Sequence, residues 1–345
     1  MENKNLADAR SAKNDEFYTR YEDIQNEINA YWEYDANVFR NKTVLCPCDD
    51  PEQSNFTKFF IRNFERFGLK KLISTCLPCQ SEARGAKGKI FTLTADSVEA
   101  MKQNGIAVQS LDGNGDFRSD EIKALRNEAD MIITNPPFSL YREFAAWLVE
   151  SKKNFLIIGN KNSITYKEIF PLILRGRMWS GKSSWSGGMW FETKSAGDAD
   201  KVVSGVGLKN VSSVWFTNME HGQRHQPLAL MTMADNIKRS KHRQIREAGY
   251  QKYDNYNALE VPFTDAIPDD YDGVMGVPIT FLEKHCPEQF QILGATESEG
   301  KGFSNGLWDE HSAAAQPLIR GKRIYKRIFI KRIRPIDTAE RRKER

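Results

Sequence analysis

Met131-Ile132-Ile133-Thr134-Asn135-Pro136-Pro137-Phe138 is the stretch that decides the fold. A four-residue apolar run entered from Asp130 predicts a buried strand of a parallel sheet. Two prolines end it, because neither strand nor helix continues through them, and they hold the backbone extended. Residues 139–150 then read as a helix, with Ser139 as N-cap and Phe144, Trp147 and Leu148 on one face. An amide side chain and a proline carbonyl at the end of a strand suit one chemistry in particular. The amino group of a planar base is a poor nucleophile, because its lone pair is delocalised into the ring. Two aimed acceptors, the Asn135 side-chain oxygen and the Pro136 carbonyl, would hold both amine hydrogens and favour a pyramidal nitrogen. That is electrostatic preorganisation for transfer of a methyl group. Phe138 offers a ring on which an extruded base can stack. The plainer reading is a strand-to-helix turn that happens to hold two prolines; its place between this strand and this helix favours the chemical one.

Outward from that turn, the chain alternates strands and helices. Residues 21–34 read as a helix, with Ile24, Ile28, Tyr31 and Trp32 at helical spacing. Thr43-Val44-Leu45-Cys46 reads as a strand ending in Pro47-Cys48-Asp49-Asp50-Pro51. A helix bearing Phe56, Phe59, Phe60, Asn63, Phe64 and Phe67 follows, closed by Gly68. Lys71-Leu72-Ile73-Ser74-Thr75-Cys76 is a second strand, residues 90–93 an edge hairpin, and residues 122–125 part of a short helix. Residues 154–159 give a further strand and residues 167–174 a further helix. This alternation, up to about residue 175, predicts a doubly wound α/β sheet, whose ligands bind beyond the carboxyl ends of the strands. Asp49, Asp50 and Asn135 all fall there. From about residue 176 the texture turns to Gly, Ser and Trp with short β-rich runs. The expected division is therefore a core over residues 1–175 and a β-rich region over residues 176–345. Two late strands, residues 290–294 and 324–330, either return to the core sheet or close the second region.

A carboxylate at the tip of the first strand, in Asp49-Asp50-Pro51, is placed to hold a sulfonium or an amino-acid moiety; the alternative is capping of the next helix. Glycine-rich dinucleotide spacing is absent, since Ser54 and Phe56 stand where glycines are expected, which argues against a nicotinamide cofactor. Cys46-x-Cys48 and Cys76-x-x-Cys79 have poor zinc-knuckle spacing and read as small buried residues. The histidines show no ligand pattern, so no metal is expected. Asp112-Gly-Asn-Gly-Asp116-Phe117 lacks the later calcium ligands. Asp116 and Phe117 read as an adenine contact, a carboxylate for the amino group and a ring beside the base, or as a polar loop with Phe117 in the core.

Of the 345 residues, 40% are hydrophobic and 28% charged, as in a soluble globular protein. No apolar run approaches ~18 residues, the N-terminus has no apolar signal core, and five cysteines in no regular framework fit a reducing cytoplasm. The net charge of +4 hides an asymmetry: residues 320–345 hold twelve Lys or Arg against Asp337, Glu340 and Glu344. Such an end suits a polyanion, although charged tails are often merely solvated. The candidate nucleic-acid contacts are Arg175, Arg177 and Lys182 among Trp179, Trp185 and Trp190; Lys238, Arg239, Lys241 and Arg243; and Lys322 and Arg323. Core packing accounts equally well for any one of those tryptophans.

With these residues in place, the chain resembles the EcoRI-type adenine-specific DNA methyltransferases over most of its length. Asp15-Glu16-Phe17-Tyr18-Thr19 is similar to the family's N-terminal cofactor motif. Cys48-Asp49-Asp50-Pro51 with Ser54-Asn55-Phe56 resembles its motif I, Gly115-Asp116-Phe117-Arg118-Ser119 its adenine-contact loop, and Asn135-Pro136-Pro137-Phe138 its catalytic motif. Trp215-Phe216-Thr217-Asn218, Tyr253-Asp254-Asn255-Tyr256 and residues 270–278 resemble family signatures without a role derivable from sequence. The resemblance implies a Rossmann-like S-adenosylmethionine-dependent methyltransferase core with a C-terminal β-rich target-recognition region. It implies S-adenosylmethionine as donor, contacted by Phe17, Tyr18 and Thr19, and an adenine in double-stranded DNA as acceptor. No obligate protein partner is inferred, and a companion restriction endonuclease acting on the same site is compatible with this reading. Two departures stand out. The motif I glycines are missing, and no acidic residue directly ends the second strand, leaving Cys76, Gln80 or Glu82 for the ribose. The rival readings are a methyltransferase for RNA or a protein glutamine amide, and a catalytically silent DNA-binding protein of the same fold.

Overall fold

The computed structural model describes residues 18–78, 85–193, 196–298 and 301–333. The strands up to residue 217 are β1 (Tyr18–Thr19), β2 (Thr43–Cys46), β3 (Lys71–Cys76), β4 (Lys89–Thr94), β5 (Gln109–Ser110), β6 (Met131–Thr134), β7 (Asn154–Asn160), β8 (Trp179–Ser180), β9 (Met189–Thr193), β10 (Lys201–Val203), β11 (Val206–Val211) and β12 (Ser213–Thr217). Eight of them form one mixed sheet in the order β5-β4-β3-β2-β6-β7-β12-β8. The four central strands are parallel. Both flanks are antiparallel. β2 and β6 are buried at every position, which is why they read as unbroken apolar or small-residue runs. The chain runs from β2 outward to β3 on one side and resumes on the other side with β6, so the strand order reverses between β2 and β6. That reversal opens a crevice at their carboxyl ends.

The helix Asn55–Phe67 covers this sheet with Phe56, Phe59, Phe60, Phe64 and Phe67, each worth ~1.5–3 kcal/mol on burial. Its N-cap is Ser54, which accepts from the Phe56 N–H, and its C-cap is Gly68 at φ 62°. Neither Asp49 nor Asp50 caps it. After β6, Phe138–Leu140 forms a tight 3-10 turn, and the α-helix occupies Tyr141–Ser151. It starts later than the sequence suggests, and Ser139 is not its cap. The extended prolines (Pro137 ψ 124°) leave three residues to bend the chain into the helix. The expected edge hairpin is β4, which lies one strand in from the edge, beside β5. A second small sheet runs β1-β9-β11-β10.

The division into compact units differs from a break at residue 175. One unit takes the chain up to Ser163 and Met178–His221; the other takes Ile164–Arg177 and everything from Gly222. The cause is β12, which pairs antiparallel with β7. Trp215-Phe216-Thr217-Asn218 supplies the stitching: Thr217 Oγ1 donates to the Phe155 carbonyl at 2.7 Å, and the Asn218 amide bonds the Phe155 N–H and the Lys153 carbonyl at 2.7 and 3.0 Å.

The second unit holds β13 (Gln251–Lys252), β14 (Leu259–Glu260), β15 (Met275–Pro278), β16 (Phe290–Ala295), β17 (Leu318–Ile319), β18 (Lys322–Arg323) and β19 (Arg327–Arg332). Its sheet runs β13-β14-β15-β19-β16, and β17 and β18 form a separate hairpin. The two late strands therefore pair with each other and close this unit rather than completing the first sheet. Within it Arg327 is buried in a forked ion pair with Glu260 (2.6 Å), to which the Tyr253 hydroxyl also donates. No helix among the described residues is long and apolar enough to cross a membrane.

Candidate active site

Three strand tips meet at Asp49. Its N–H donates to the Thr75 carbonyl at 2.9 Å, tying the end of β2 to that of β3. Its carboxylate accepts from the Ser54 hydroxyl and from the Thr134 hydroxyl, both at 2.6 Å. Thr134 is the last residue of β6, so Asp49 fixes the backbone from which Asn135 springs. Asn135, Pro137 and Phe138 are half-buried and Pro136 is buried. Asp50 is half-buried, and its Oδ1 accepts from the Glu52 and Gln53 N–H groups at 2.8 and 3.1 Å, which makes the turn around buried Pro51. Neither aspartate has an ion-pair partner among the described residues. Two uncompensated carboxylates at the crevice suit a cationic ligand.

Burial pushes the Asp49 carboxyl from 3.8 up to about 6, against the hydrogen bonds from Ser54 and Thr134, which pull it down. The consequence for stability has a definite sign. Below pH 3.8 the group is protonated in folded and unfolded chains alike. Between 3.8 and about 6 only the folded chain keeps the proton, so stability falls as pH rises through that window, by up to ~3 kcal/mol. Asp49→Asn removes the titration. In urea unfolding without ligand, the variant's advantage over the wild type is expected to grow between about pH 4 and pH 6 and then level off. A difference that stays flat contradicts the buried, uncompensated carboxylate.

The N-terminal motif reaches the same place. Asn55, beside Ser54, donates from Nδ2 to the Thr19 carbonyl at 2.9 Å. Tyr18 and Thr19 form β1, paired with β9 so that Thr19 faces Phe191. Phe191 in turn meets the Phe138 ring edge to face, with centroids 6.1 Å apart. The Thr19 hydroxyl is buried, with no hydrogen-bond partner among the described residues. Phe17 lies outside the described residues, as do Gln80 and Glu82. Sequence reasoning missed Phe191 and Thr134. Phe191 follows Trp190 in the Trp- and Gly-dense stretch, and nothing local marks it as a neighbour of residue 138. Thr134 reads in the sequence as a strand residue, although its hydroxyl directly precedes Asn135.

Asp116 is brought close by glycine. Gly115, at φ 78°, lies against the end of β3 so tightly that a Cβ would stand 2.5 Å from the Cys76 carbonyl oxygen. The Asp116 carboxylate is gripped by Arg118, Nε to Oδ1 at 2.9 Å and Nη2 to Oδ2 at 2.6 Å, which holds its pKa below the usual range. Arg118 also reaches Glu143 at 3.0 Å on the helix Tyr141–Ser151. Phe117 corrects the expectation of a ring beside a base. It is buried against Phe144 and Trp147, with centroids at 5.1 and 5.8 Å, because the loop needs an apolar anchor.

With that geometry established, comparison with known proteins is decisive. A family model described as Adenine-specific methyltransferase EcoRI matches residues 5–333. The chain belongs to this adenine-specific methyltransferase family. The Type II methyltransferase M.EcoRI of Escherichia coli is 40% identical over 346 residues, which cover 95% of this chain and 96% of that protein. The Type II methyltransferase M.MpnI of Mycoplasma pneumoniae is 34% identical over 336 residues, or 94% and 96%. No solved structure matches the chain.

The basic residues expected to meet DNA in this family member separate into two kinds. Arg175, Arg177, Lys182, Lys238, Lys322 and Arg323 are exposed and meet no carboxylate among the described residues. Arg239, Lys241 and Arg243 are exposed but paired with Asp235, Asp265 and Glu247 at 3.5, 2.7 and 2.7 Å. Trp185 is buried and donates to Ser180, and half-buried Trp179 donates to the Met219 carbonyl. Trp190 instead carries the Lys201 ammonium 3.7 Å from its ring centroid. Among the described residues no cluster of His, Cys, Asp or Glu stands ready for a metal ion.

Proposed function

We propose that this chain methylates the exocyclic N6 amine of an adenine in double-stranded DNA, with S-adenosylmethionine as donor, on a Rossmann-like core. The observation that carries the reading is the joining of three sequence-distant motifs at the ends of β2 and β6. Thr19 is bound to Asn55, Asp49 to Thr134, and Phe138 packs on Phe191 opposite Thr19. S-adenosylmethionine supplies, when bound, a methyl group on a positively charged sulfur. Asp50 faces that charge, Thr19 offers its hydroxyl beside Tyr18, and Asp116 accepts from the amino group of the donor's adenine. Asp49 keeps Thr134, and so Asn135, in register with the donor side. Asn135 and the Pro136 carbonyl accept from the two N–H bonds of the target amine, aligning its nitrogen for in-line attack. The target base must leave the duplex, at a cost of ~a few kcal/mol, and Phe138 stacks on it. The exposed cations of the second unit suit target recognition. The free thiols of Cys46, Cys48 and Cys286 suit the cytoplasm. The Type II names of the relatives make a companion restriction endonuclease at the same site part of this reading.

Incubation with methyl-labelled donor and duplex DNA, RNA or a glutamine peptide in parallel tests the reading. Label should appear as N6-methyladenine in the duplex alone; label in RNA or peptide overturns it. Phe138→Ala should weaken capture of the extruded base, since one stacked ring is worth ~1–3 kcal/mol. With 2-aminopurine at the target position, its fluorescence rise on binding should shrink in the variant. An undiminished rise makes Phe138 a packing residue only.

A further inference from the structure

The motif Tyr253-Asp254-Asn255-Tyr256 acquires a role from what it holds. The Asp254 carboxylate accepts the Arg320 N–H at 3.1 Å and the Gly321 N–H at 2.7 Å, and the Asp254 N–H donates to the Leu318 carbonyl at 2.8 Å. Asn255 accepts from the Leu318 N–H at 2.9 Å and donates to the Ala314 and Gln316 carbonyls at 2.8 and 2.9 Å. These bonds pin the β17–β18 hairpin, whose legs Ile319 and Ile324 pack on the cluster of Tyr253, Tyr256, Ala258 and Phe329. Arg320 and Gly321 make its two-residue turn, with φ values of 50° and 72°. Two successive positive φ values are the signature of a type I′ turn, where glycine and asparagine are at home. Asp254 holds the backbone of the arginine at the first position. Its exposed side chain, with those of Lys322 and Arg323, meets no acid among the described residues. The result is a narrow, rigid, uncompensated basic tip.

We infer that this hairpin enters the major groove of the substrate duplex and that Arg320 reads a guanine edge there, with Asp254 as the positioning residue. The inference rests on the reading of duplex DNA as substrate. A two-stranded ribbon fits the major groove, and arginine binds guanine O6 and N7 through two parallel hydrogen bonds. Backbone strain retained under a cationic side chain at an exposed tip fits recognition better than folding, because glycine would satisfy the turn more easily.

The test uses Arg320→Gly, which removes the side chain and relaxes the turn, with Asp254→Asn beside it. The full-length protein and each variant methylate plasmid DNA, and the modified positions are read by single-molecule sequencing. Arg320→Gly is expected to lose roughly ten- to a hundredfold in discrimination against sites changed at one guanine, with its melting temperature unchanged or raised. Asp254→Asn is expected to relax discrimination at the same guanine. Unchanged site preference in folded Arg320→Gly overturns the inference. So does a uniform loss at all sites, accompanied by a fall of ~0.9 in the salt slope, which marks a phosphate contact instead. A wild-type protein that modifies no DNA overturns the substrate reading itself, an outcome visible before any variant is compared.

Discussion

Asn135→Ala is expected to lower the single-turnover rate of methyl transfer by ~10²–10³ while leaving donor affinity nearly unchanged. In the proposed mechanism the amide oxygen acts on the amine as its nitrogen becomes pyramidal, so its contribution falls on the transition state rather than on binding. The groups assigned to the donor, Asp50, Asp116 and Thr19, are untouched by the change. Half-buried Asn135 follows a strand that Asp49 anchors through Thr134, so the alanine variant should keep the strand end in place. Rapid-quench kinetics with saturating donor measures the rate, and calorimetry measures the affinity. A variant that keeps more than about a tenth of the wild-type rate removes Asn135 from the chemistry.

Glu260→Ala is expected to destabilise the second unit by ~3–5 kcal/mol. The Glu260 side chain is 4% exposed and that of Arg327 is 11% exposed, so water reaches neither charge freely. Arg327 spends Nε and Nη2 on Glu260 and Nη1 on the Tyr325 and Lys326 carbonyls. Without the carboxylate, two donors of a buried guanidinium face a void, and the Tyr253 hydroxyl is left with only the Gly276 carbonyl at 3.3 Å. Urea unfolding followed by tryptophan and far-UV signals measures the loss. A loss below about 1 kcal/mol means that solvent enters the site and the pair behaves as a surface one.

Some of this architecture was readable directly and some was not, for physical reasons. The helix over residues 21–34 and the phenylalanine-rich helix carry their apolar spacing within their own length, and β2, β3 and β6 are short apolar runs bounded by turn residues. Local pattern suffices there. The return of β12 to β7 depends on pairing between segments some sixty residues apart, and no local period encodes it. The same holds for Arg327, which in sequence belongs to the basic residues 320–345 and in the structure meets Glu260 from another strand. Arg239 and Arg243 differ, because their partners Asp235 and Glu247 stand four residues away, a helical spacing visible in the sequence. The turn after β6 was readable as a turn because prolines constrain the backbone whatever surrounds them. The place of Phe117 was not, because a phenylalanine in a polar loop suits a ligand and a core equally well.

Single-molecule sequencing of DNA from cells expressing the wild-type chain or Asn135→Ala tests the central claim most directly. The expected result is N6-methyladenine at one sequence context with the wild type, and loss of that mark with the variant. Modified cytosine, no modification, or the same adenine marks from both proteins would contradict it.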